Sequence, residues 1–347
     1  MFEFREIKHA KVLPKGRSFI LAGDIGGTNS NFAIFEEKEL KLLLSFHFKS
    51  QQITNFTEVV KFLLTHLKSG YNIVIKIACF AAACPIHETG QYCSLTNTHW
   101  DVDTKKIQKK TGLSSLVLIN DFEAIAYGLD VIKSKDYQTI KVGRAVAKKP
   151  RILIGAGTGL GKSIIIWNNT IKKYMPLGSE GGHSDISINS KEEFNFLRFF
   201  KQSNVEWEDV LSGKGISNIY KFISRRSPRT MISDEIKRSN YDPELISKYR
   251  ETDSLSQATF KWFIKFYGRC AKNLALDALA QGGVFIAGGI AAKNSSIFKS
   301  KEFKQEFLNS KKQKKLLEKI PIYLITNYDV SLYGAAVAAL LHKRGII

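Results

Sequence analysis

Short runs of β-branched and aromatic residues alternate along this chain with longer segments in which apolar residues recur every three or four positions. Runs of the first kind are typical of strands within a sheet, and segments of the second kind are typical of helices that bury one face. In the first third of the chain, the pattern predicts a strand–turn–strand unit over residues 18–36, strands over 41–48 and 72–79, and a helix over 55–68. This mixture of elements indicates an α/β protein.

A similar series of elements begins again near residue 151. The pattern predicts a second strand–turn–strand unit there, a helix around 194–200, a long amphipathic helix over 255–279 and a small-residue helix over 331–341. We interpret the aromatic stripe of the long helix as core. Because a strand–turn–strand unit opens each half, we expect a duplicated fold of two α/β domains, with the cleft between them as the default ligand site.

A glycine-threonine turn lies inside each strand–turn–strand unit, and the two turns are about 130 residues apart. The first reads D-I-G-G-T-N from Asp24 to Asn29, and the second reads G-A-G-T-G-L-G from Gly155 to Gly161. Glycine permits positive φ and lets backbone N–H groups approach a ligand closely. With a threonine hydroxyl, such N–H groups form a concave site for phosphate oxygens. The two turns therefore predict that a polyphosphate is held between the two halves of the chain.

The second turn also overlaps a relaxed P-loop pattern, A-x-x-x-x-G-K-S over residues 156–163. In a true P-loop the lysine and the serine open a helix. Here the residues that follow are Ile164, Ile165, Ile166 and Trp167, and β-branched side chains favour a strand. We therefore prefer a hairpin, in which Lys162 is a strand residue just past the turn, and keep the P-loop as the alternative.

Asp121 follows a predicted strand, L-V-L-I over residues 116–119, at the point where a helix begins. A carboxylate at the carboxyl end of a strand faces the ligand crevice in open α/β sheets. Two interpretations remain: a helix N-cap, for which Asn and Asp are common, or a general base that removes a proton from a hydroxyl. The two phosphate turns favour the base, because kinases use an aspartate to accept the proton of the acceptor hydroxyl.

The loop E-G-G-H-S-D, from Glu180 to Asp185, carries a carboxylate and an imidazole three residues apart. Such a pair can grip vicinal hydroxyls, whereas one histidine among scattered acids makes a poor metal site; a purely structural histidine is the alternative. Glu208, just before L-S-G, is a weaker candidate for the same contact.

Gly288 and Gly289 follow a predicted strand and form a third glycine turn, which suits a flat adenine or ribose against bare backbone.

The formal charge of +20 invites a nucleic-acid interpretation. However, 12 of the 52 basic residues are arginines and the rest are lysines. Base readout and bidentate phosphate contacts favour arginine, and the lysines are scattered over predicted amphipathic helices. We interpret the charge as solvated helix faces, and we expect no nucleic-acid partner.

The four cysteines, Cys79, Cys84, Cys93 and Cys270, show no C-x-x-C spacing. This predicts reduced, buried thiols in a cytoplasmic protein without structural zinc. The N-terminal segment has no apolar core typical of a secretory signal. The longest apolar run, over residues 73–86, is too short to span a bilayer, so we expect no membrane partner.

Taken in order, these motifs resemble those of the bacterial-type glucokinases of the sugar kinase/actin superfamily. The similarity rests on D-I-G-G-T-N, T-N-x-x-W, L-I-N-D-F, G-A-G-T-G-L-G, S-E-G-G-H, E-D-V-L-S-G and G-G-V-F-I-A-G-G-I, at similar spacing. It extends from about Phe19 to the C-terminus. The cysteine-rich zinc motif of the repressor-related sugar kinases is absent from the sequence, which argues against that family.

The resemblance implies the two-domain sugar kinase/actin-like fold, a duplicated ribonuclease H-like α/β fold with a central interdomain cleft. It implies ATP-dependent phosphorylation of glucose at the 6-hydroxyl, with Asp121 as the catalytic base, and a homodimer. It also implies that Asp24 faces Mg²⁺ through water. The sugar-binding residues that it implies are Asn97, Asn120, Asp121, Glu180, His183 and Glu208. The nucleotide-binding residues would be Asp24, Gly26, Gly27, Thr28, Asn29, Gly157, Thr158, Gly159, Gly288 and Gly289.

On this basis we expect an N-terminal extension over residues 1–17, a small α/β domain over 18–131 plus 327–347, and a large α/β domain over 132–326.

Two rival functions belong to classes other than sugar kinases. A nucleotide-binding regulator without catalysis is disfavoured by Asp121 and the intact E-G-G-H loop. A nucleic-acid-binding P-loop protein is disfavoured by the hairpin after Lys162.

Overall fold

The computed structural model describes residues 2–14, 16–84, 86–95, 98–202 and 204–347. The chain divides into two compact units. The first unit comprises Met1–Lys133 and Asn327–Ile347, and the second comprises Ser134–Thr326. The C-terminal segment therefore folds with the first unit.

The strands are β1 (Phe4–Lys8), β2 (Phe19–Ile25), β3 (Asn29–Glu36), β4 (Lys41–Lys49), β5 (Ile77–Ala82), β6 (Tyr92–Ser94), β7 (Asp101–Asp103), β8 (Ser115–Asn120), β9 (Tyr137–Lys141), β10 (Arg151–Ala156), β11 (Leu160–Asn168), β12 (Lys173–Leu177), β13 (Gly283–Ala287) and β14 (Ile322–Ile325).

The helices are α1 (Phe56–Tyr71), α2 (Thr104–Thr111), α3 (Asp121–Gly128), α4 (Lys191–Phe199), α5 (Gly213–Ser224), α6 (Met231–Arg238), α7 (Pro243–Lys248), α8 (Ser254–Asp277), α9 (Gly289–Lys293), α10 (Lys301–Leu308), α11 (Lys314–Lys319) and α12 (Val330–Lys343). Short 3-10 turns cover Ser50–Gln52, Ser134–Asp136, Gly181–His183 and Ser295–Lys299.

The first unit is built on a six-stranded sheet in the order β1-β4-β3-β2-β5-β8. β2 and β3 form the predicted antiparallel hairpin, and β5 and β8 run parallel to β2. In this register Ile25 lies opposite Ala82, and Ala82 lies opposite Asn120. The ends of three parallel strands therefore meet at one edge of the sheet, which is the edge that carries Asp24 and Asp121.

The second unit repeats this plan with a six-stranded sheet in the order β12-β11-β10-β13-β14-β9. β10 and β11 form the second hairpin, and β13 and β14 run parallel to β10. The duplication predicted from the sequence is thus visible as the same arrangement of a glycine-turn hairpin beside two parallel strands. The predicted core stripe of α8 is buried at Phe260, Phe263, Ile264, Tyr267 and Leu274, whereas Leu279 is exposed.

A buried arginine ties α8 to two neighbouring helices of the second unit. Arg269 donates to both carboxylate oxygens of Glu193 on α4, at 2.8 and 3.0 Å, and to those of Glu306 on α10, at 3.2 and 3.3 Å. It also donates to the Ser187 carbonyl oxygen at 2.9 Å. Breaking such a buried network leaves uncompensated charge and costs several kcal/mol, so Arg269 fixes the chain segment around Ser187.

Two helices of the first unit cross so closely that their backbones touch. A Cβ atom at Gly334 of α12 would overlap the Ala124 carbonyl oxygen of α3 and lie 2.6 Å from its carbon. A Cβ atom at Gly128 would in turn overlap the Val330 carbonyl oxygen and lie 2.8 Å from Val330 Cγ2. Only glycine fits at these positions, so the crossing is set by the absence of side chains.

The predicted strand over residues 72–79 is displaced in the structure to β5, Ile77–Ala82. Asn72 takes a left-handed conformation with φ of 54° and ends α1, and the Ile73 N–H donates back to the Leu67 carbonyl. Residues 73–76 therefore connect the helix to β5 without regular secondary structure. At the N-terminus, part of the expected extension forms β1, which pairs antiparallel with β4.

The prediction that all four cysteines are reduced is wrong for one pair. Cys84 and Cys93 form a disulfide, with their Cα atoms 6.2 Å apart. Between them, the chain from His87 to Tyr92 turns back on itself, because the His87 N–H donates to the Tyr92 carbonyl at 3.0 Å. Cys79 and Cys270 are free and buried.

The helix crossing yields a paired test. Gly334→Ala should destabilise the protein by about 1–3 kcal/mol, because overpacking forces the backbones apart. Gly70→Ala in the exposed last turn of α1, where an added Cβ meets no atom within 4 Å, should instead stabilise it by about 0.5–1 kcal/mol through helix propensity. Urea unfolding midpoints measure both effects. Equal midpoints for the two variants would contradict the packing argument.

Candidate active site

The first glycine turn joins β2 to β3 and is fixed from behind by a serine. The Gly26 N–H donates to the Asn29 carbonyl at 3.0 Å. The Ser50 N–H donates to the Thr28 carbonyl at 3.0 Å, and its hydroxyl donates to the Gly26 carbonyl at 2.6 Å. Ser50 is buried, and its two hydrogen bonds fix the Gly26 and Thr28 carbonyls of the turn. No signal in the sequence marks this residue.

Asp24 lies at the end of β2, next to this turn, and is half-buried. The Ser331 hydroxyl of α12 donates to Asp24 Oδ2 at 2.8 Å. Burial raises the pKa of Asp24, the hydrogen bond from Ser331 opposes that effect, and the charge of Asp329 reinforces it. A carboxylate whose charged form is disfavoured in this way gains stability from a bound cation.

Asn120, and not Asp121, is the N-cap at the start of α3. Asn120 is the N-cap of α3, and its Oδ1 accepts from the Phe122 N–H at 2.9 Å. Asp121 is the first residue of the helix, and one of its oxygens accepts from the same N–H at 2.9 Å. Burial, followed by the charge of Asp24, raises the pKa of Asp121 to about 6. A carboxylate with that pKa can accept a proton near neutral pH.

The second glycine turn, in the other unit, is closed by its own backbone and by Glu208. The Gly157 N–H donates to the Gly159 carbonyl at 2.8 Å, and the Gly213 N–H donates to the Gly157 carbonyl at 2.9 Å. Glu208 Oε2 accepts from the Leu160 N–H at 2.8 Å. Glu208 is therefore half-buried against the turn.

The third glycine turn lies beside the second. β13 pairs with β10 so that Ala287 is opposite Gly155. Gly288 has φ of 92°, and a Cβ atom there would lie 2.6 Å from the Ala156 carbonyl oxygen. Gly288 and Gly289 thus present bare backbone next to the second turn.

Lys162 lies on β11, and a strand rather than a helix follows the glycine turn. This excludes the P-loop geometry. The lysine is nevertheless not an ordinary strand residue, because its side chain is buried. Its Nζ donates to the Gly181 carbonyl at 2.6 Å and lies 3.5 Å from Ser184 Oγ and 5.6 Å from the centre of the Trp207 ring. Lys162 therefore supports the E-G-G-H loop from below.

The E-G-G-H loop presents two exposed polar side chains. The Glu180 side chain is 86% exposed and that of His183 is 53% exposed, with His183 Nε2 at 3.9 Å from Glu180 Oε2. His183 Nδ1 lies 2.7 Å from Oε2 of Glu206, a residue that the motifs did not single out. That hydrogen bond raises the pKa of His183, burial opposes the rise, and the charges of Glu208, Glu206 and Glu180 add to it.

The predicted site residues thus form two groups. The first unit holds Asp24, Gly26, Gly27, Thr28, Asn29, Asn120 and Asp121, and the second holds Gly157, Thr158, Gly159, Glu180, His183, Glu208, Gly288 and Gly289. Asn97 lies outside the described residues. Within the described part of the chain, no group of three or more His, Cys, Asp or Glu residues is placed to hold a metal ion. Nor does any helix there have the length and apolarity to cross a membrane.

Comparison with known proteins matches this arrangement to one family. A family model described as Glucokinase matches residues 21–342. The glucokinase of Nostoc punctiforme is 33% identical over 341 residues, covering 93% of this chain and 99% of the relative. The glucokinase of Yersinia pestis is 32% identical over 332 residues, covering 94% and 98%.

Solved structures agree. The glucokinase of an Antarctic psychrotroph superposes with a TM-score of 0.79 at 27% identity, covering 93% of this chain and 99% of that one. The Balamuthia mandrillaris glucokinase in complex with glucose gives a TM-score of 0.74 at 21% identity, covering 94% of each chain, and shares the fold. With its duplicated sheets and glycine-turn hairpins, this chain has the actin-like two-domain fold and belongs to the glucokinase family.

Proposed function

We propose that this protein transfers the γ-phosphoryl group of ATP to the 6-hydroxyl of glucose, giving glucose 6-phosphate and ADP in the first step of glycolysis. The observation that carries the proposal is Asp121, a half-buried carboxylate whose pKa is raised to about 6, at the same sheet edge as Asp24 and the first glycine turn. Asp121 accepts the proton of the 6-hydroxyl as the hydroxyl oxygen attacks the phosphorus atom. In phosphoryl transfer the rest of catalysis is positioning and charge neutralisation.

The glycine turns bind the phosphates of ATP through their N–H groups, at Gly26, Gly27, Thr28 and Asn29 and at Gly157, Thr158 and Gly159. Gly288 and Gly289 bind the adenosine, because their bare backbone admits a flat group. For Mg²⁺, the donor set contains Asp24 rather than a cluster of acids, and this fits an ion that keeps most of its waters and binds phosphate oxygens. Asp24 would hold the ion through water, and the bound ion would neutralise phosphate charge.

Glucose is bound by Asn120, Asp121, Glu180, His183 and Glu208, with Asn97 as a further candidate. Carboxylates accept from sugar hydroxyls in hydrogen bonds about twice as strong as neutral ones. A hydroxyl that is missing or inverted leaves these polar groups unpaired, which is the basis of sugar choice. We further propose that the protein is a cytoplasmic homodimer.

A coupled assay of ADP release tests the proposal directly. With Mg-ATP, release should depend on glucose, and mannose and galactose should give kcat/KM values lower by about 10-fold or more, because each inverts one hydroxyl. ADP release that ignores glucose would reject the proposal and favour a nucleotide-binding regulator. Equal rates on all three sugars would reject the assigned sugar contacts.

Asp121→Asn should lower kcat by about 10²–10⁴, because the amide cannot take the proton, while KM for glucose changes little. In the wild type, kcat should fall as pH drops below about 6, because the raised pKa of Asp121 leaves the base protonated there. Steady-state kinetics from pH 5 to 8 measure both effects, with the exposed Asp234→Asn as the matched control. A kcat within a few-fold of wild type in Asp121→Asn would show that Asp121 is not the base.

Lys162→Met should raise KM for glucose about 5–30-fold, because the Gly181 carbonyl loses its hydrogen bond and the loop loses its support. KM for ATP should stay within about twofold, since Lys162 faces the loop and not the phosphates. The exposed strand residue Lys173 gives the matched control, Lys173→Met. If the folded Lys162→Met variant lost ATP binding instead, the lysine would act on the phosphates as in a P-loop.

A further inference from the structure

The E-G-G-H loop forms backbone hydrogen bonds on one side with a short segment over residues 205–208. The Ile186 N–H donates to the Val205 carbonyl, the Trp207 N–H to the Ser184 carbonyl and the Glu208 N–H to the Gly182 carbonyl, each at 3.0 Å. Trp207 is buried, whereas Glu206 and Glu208 on either side of it are half-buried. These backbone bonds and the buried Trp207 dock the segment without the carboxylate of Glu206.

The contact that Glu206 makes is directed at one atom of the histidine. Its Oε2 lies 2.7 Å from His183 Nδ1, a distance typical of a charge-assisted hydrogen bond. A carboxylate only accepts, so Nδ1 carries the hydrogen. The neutral ring then has its lone pair on Nε2, and the protonated ring has a second N–H there.

We propose that Glu206 is a positioning residue of the sugar site, which holds Nδ1 of His183 so that Nε2 faces the sugar and sugar affinity follows the protonation of the ring. This inference rests on the proposed function, since it requires His183 to contact glucose. Glu206 itself touches His183 and not the sugar.

The charges around the ring favour its protonated form. The groups that face it are the carboxylates of Glu180, Glu206 and Glu208, with Asp209 behind Glu206 and the cation of Lys162 below the loop. The hydrogen bond with Glu206 raises the pKa of His183 above its usual value, and the neighbouring carboxylates add to that effect. The protonated ring is an imidazolium whose Nε2–H can donate to a sugar oxygen.

KM for glucose should rise with pH as His183 loses its proton. The imidazolium donates a charged hydrogen bond, which is about twice as strong as a neutral one, and it is lost as pH rises through the pKa of His183. KM for glucose should therefore increase on the alkaline side. This differs from the effect of Asp121, which lowers kcat on the acid side.

The wild-type enzyme gives the first test. The C2–H resonance of His183, assigned among the seven histidines as the one lost in His183→Gln, gives its pKa by NMR titration. The increase of KM for glucose with pH should have the same midpoint, with KM for ATP flat over that range. A KM for glucose that is independent of pH across the titration of His183 would overturn the proposal.

Glu206→Gln, with Glu192→Gln on the exposed face of α4 as control, gives the second test. The amide keeps the shape and removes the charge, so the NMR pKa of His183 and the midpoint of KM should both move down together. At pH 7, KM for glucose should rise about 3–10-fold with kcat within twofold. Glu206→Asp keeps the charge but withdraws it from the ring. Relative to Glu206→Gln, this variant should recover part of the rise in the pKa of His183 and a smaller part of the affinity for glucose.

The outcomes separate the two proposals. Two outcomes in Glu206→Gln would overturn the role of Glu206 alone, provided that ADP release in the wild type depends on glucose. One is an unchanged pKa of His183, and the other is a loss confined to kcat or to thermal stability. Absence of glucose-dependent release in the wild type would reject the proposed function itself.

Discussion

The contact between α3 and α12 at Gly128 and Gly334 is the constraint on which the first half of the site depends. Asp121 is the first residue of α3, and Ser331, on the first turn of α12, donates to Asp24. Both carboxylates are therefore positioned by two helices that can approach only where side chains are missing. The last helix of the chain thus contacts Asp24 through Ser331, although these two residues lie 307 positions apart in sequence.

The same packing sets the chemistry of the carboxylates. Partial burial raises the pKa of both Asp24 and Asp121, and their mutual repulsion adds to the shift of Asp121. An acid with a raised pKa in the folded state costs stability at neutral pH, because the unfolded chain ionises it more easily. Both acids lie at the same edge of the sheet, and acids with perturbed pKa values cluster at functional sites.

The sequence predicts those features that depend on residues close together along the chain. Both glycine hairpins, the start of α3 and the buried stripe of α8 follow from residues that are close along the chain. What it missed are contacts made by distant segments. Ser50 reaches the turn at Gly26, and Glu206 reaches His183, only because tertiary docking brings them there. The disulfide between Cys84 and Cys93 likewise depends on a turn that has no strong local signature.

The net charge, which is known from composition, likewise does not reveal which individual cations are buried. The excess of 20 positive charges is carried mainly by scattered lysines, yet two buried cations bind backbone carbonyls within the E-G-G-H loop and just after it. Lys162 holds the Gly181 carbonyl, and Arg269 holds the Ser187 carbonyl together with Glu193 and Glu306. Desolvated cations of this kind are stable only when their partners are fixed, so they order the loop from within. Glu180 and His183 stay exposed on this loop, where both side chains can form hydrogen bonds with hydroxyl groups.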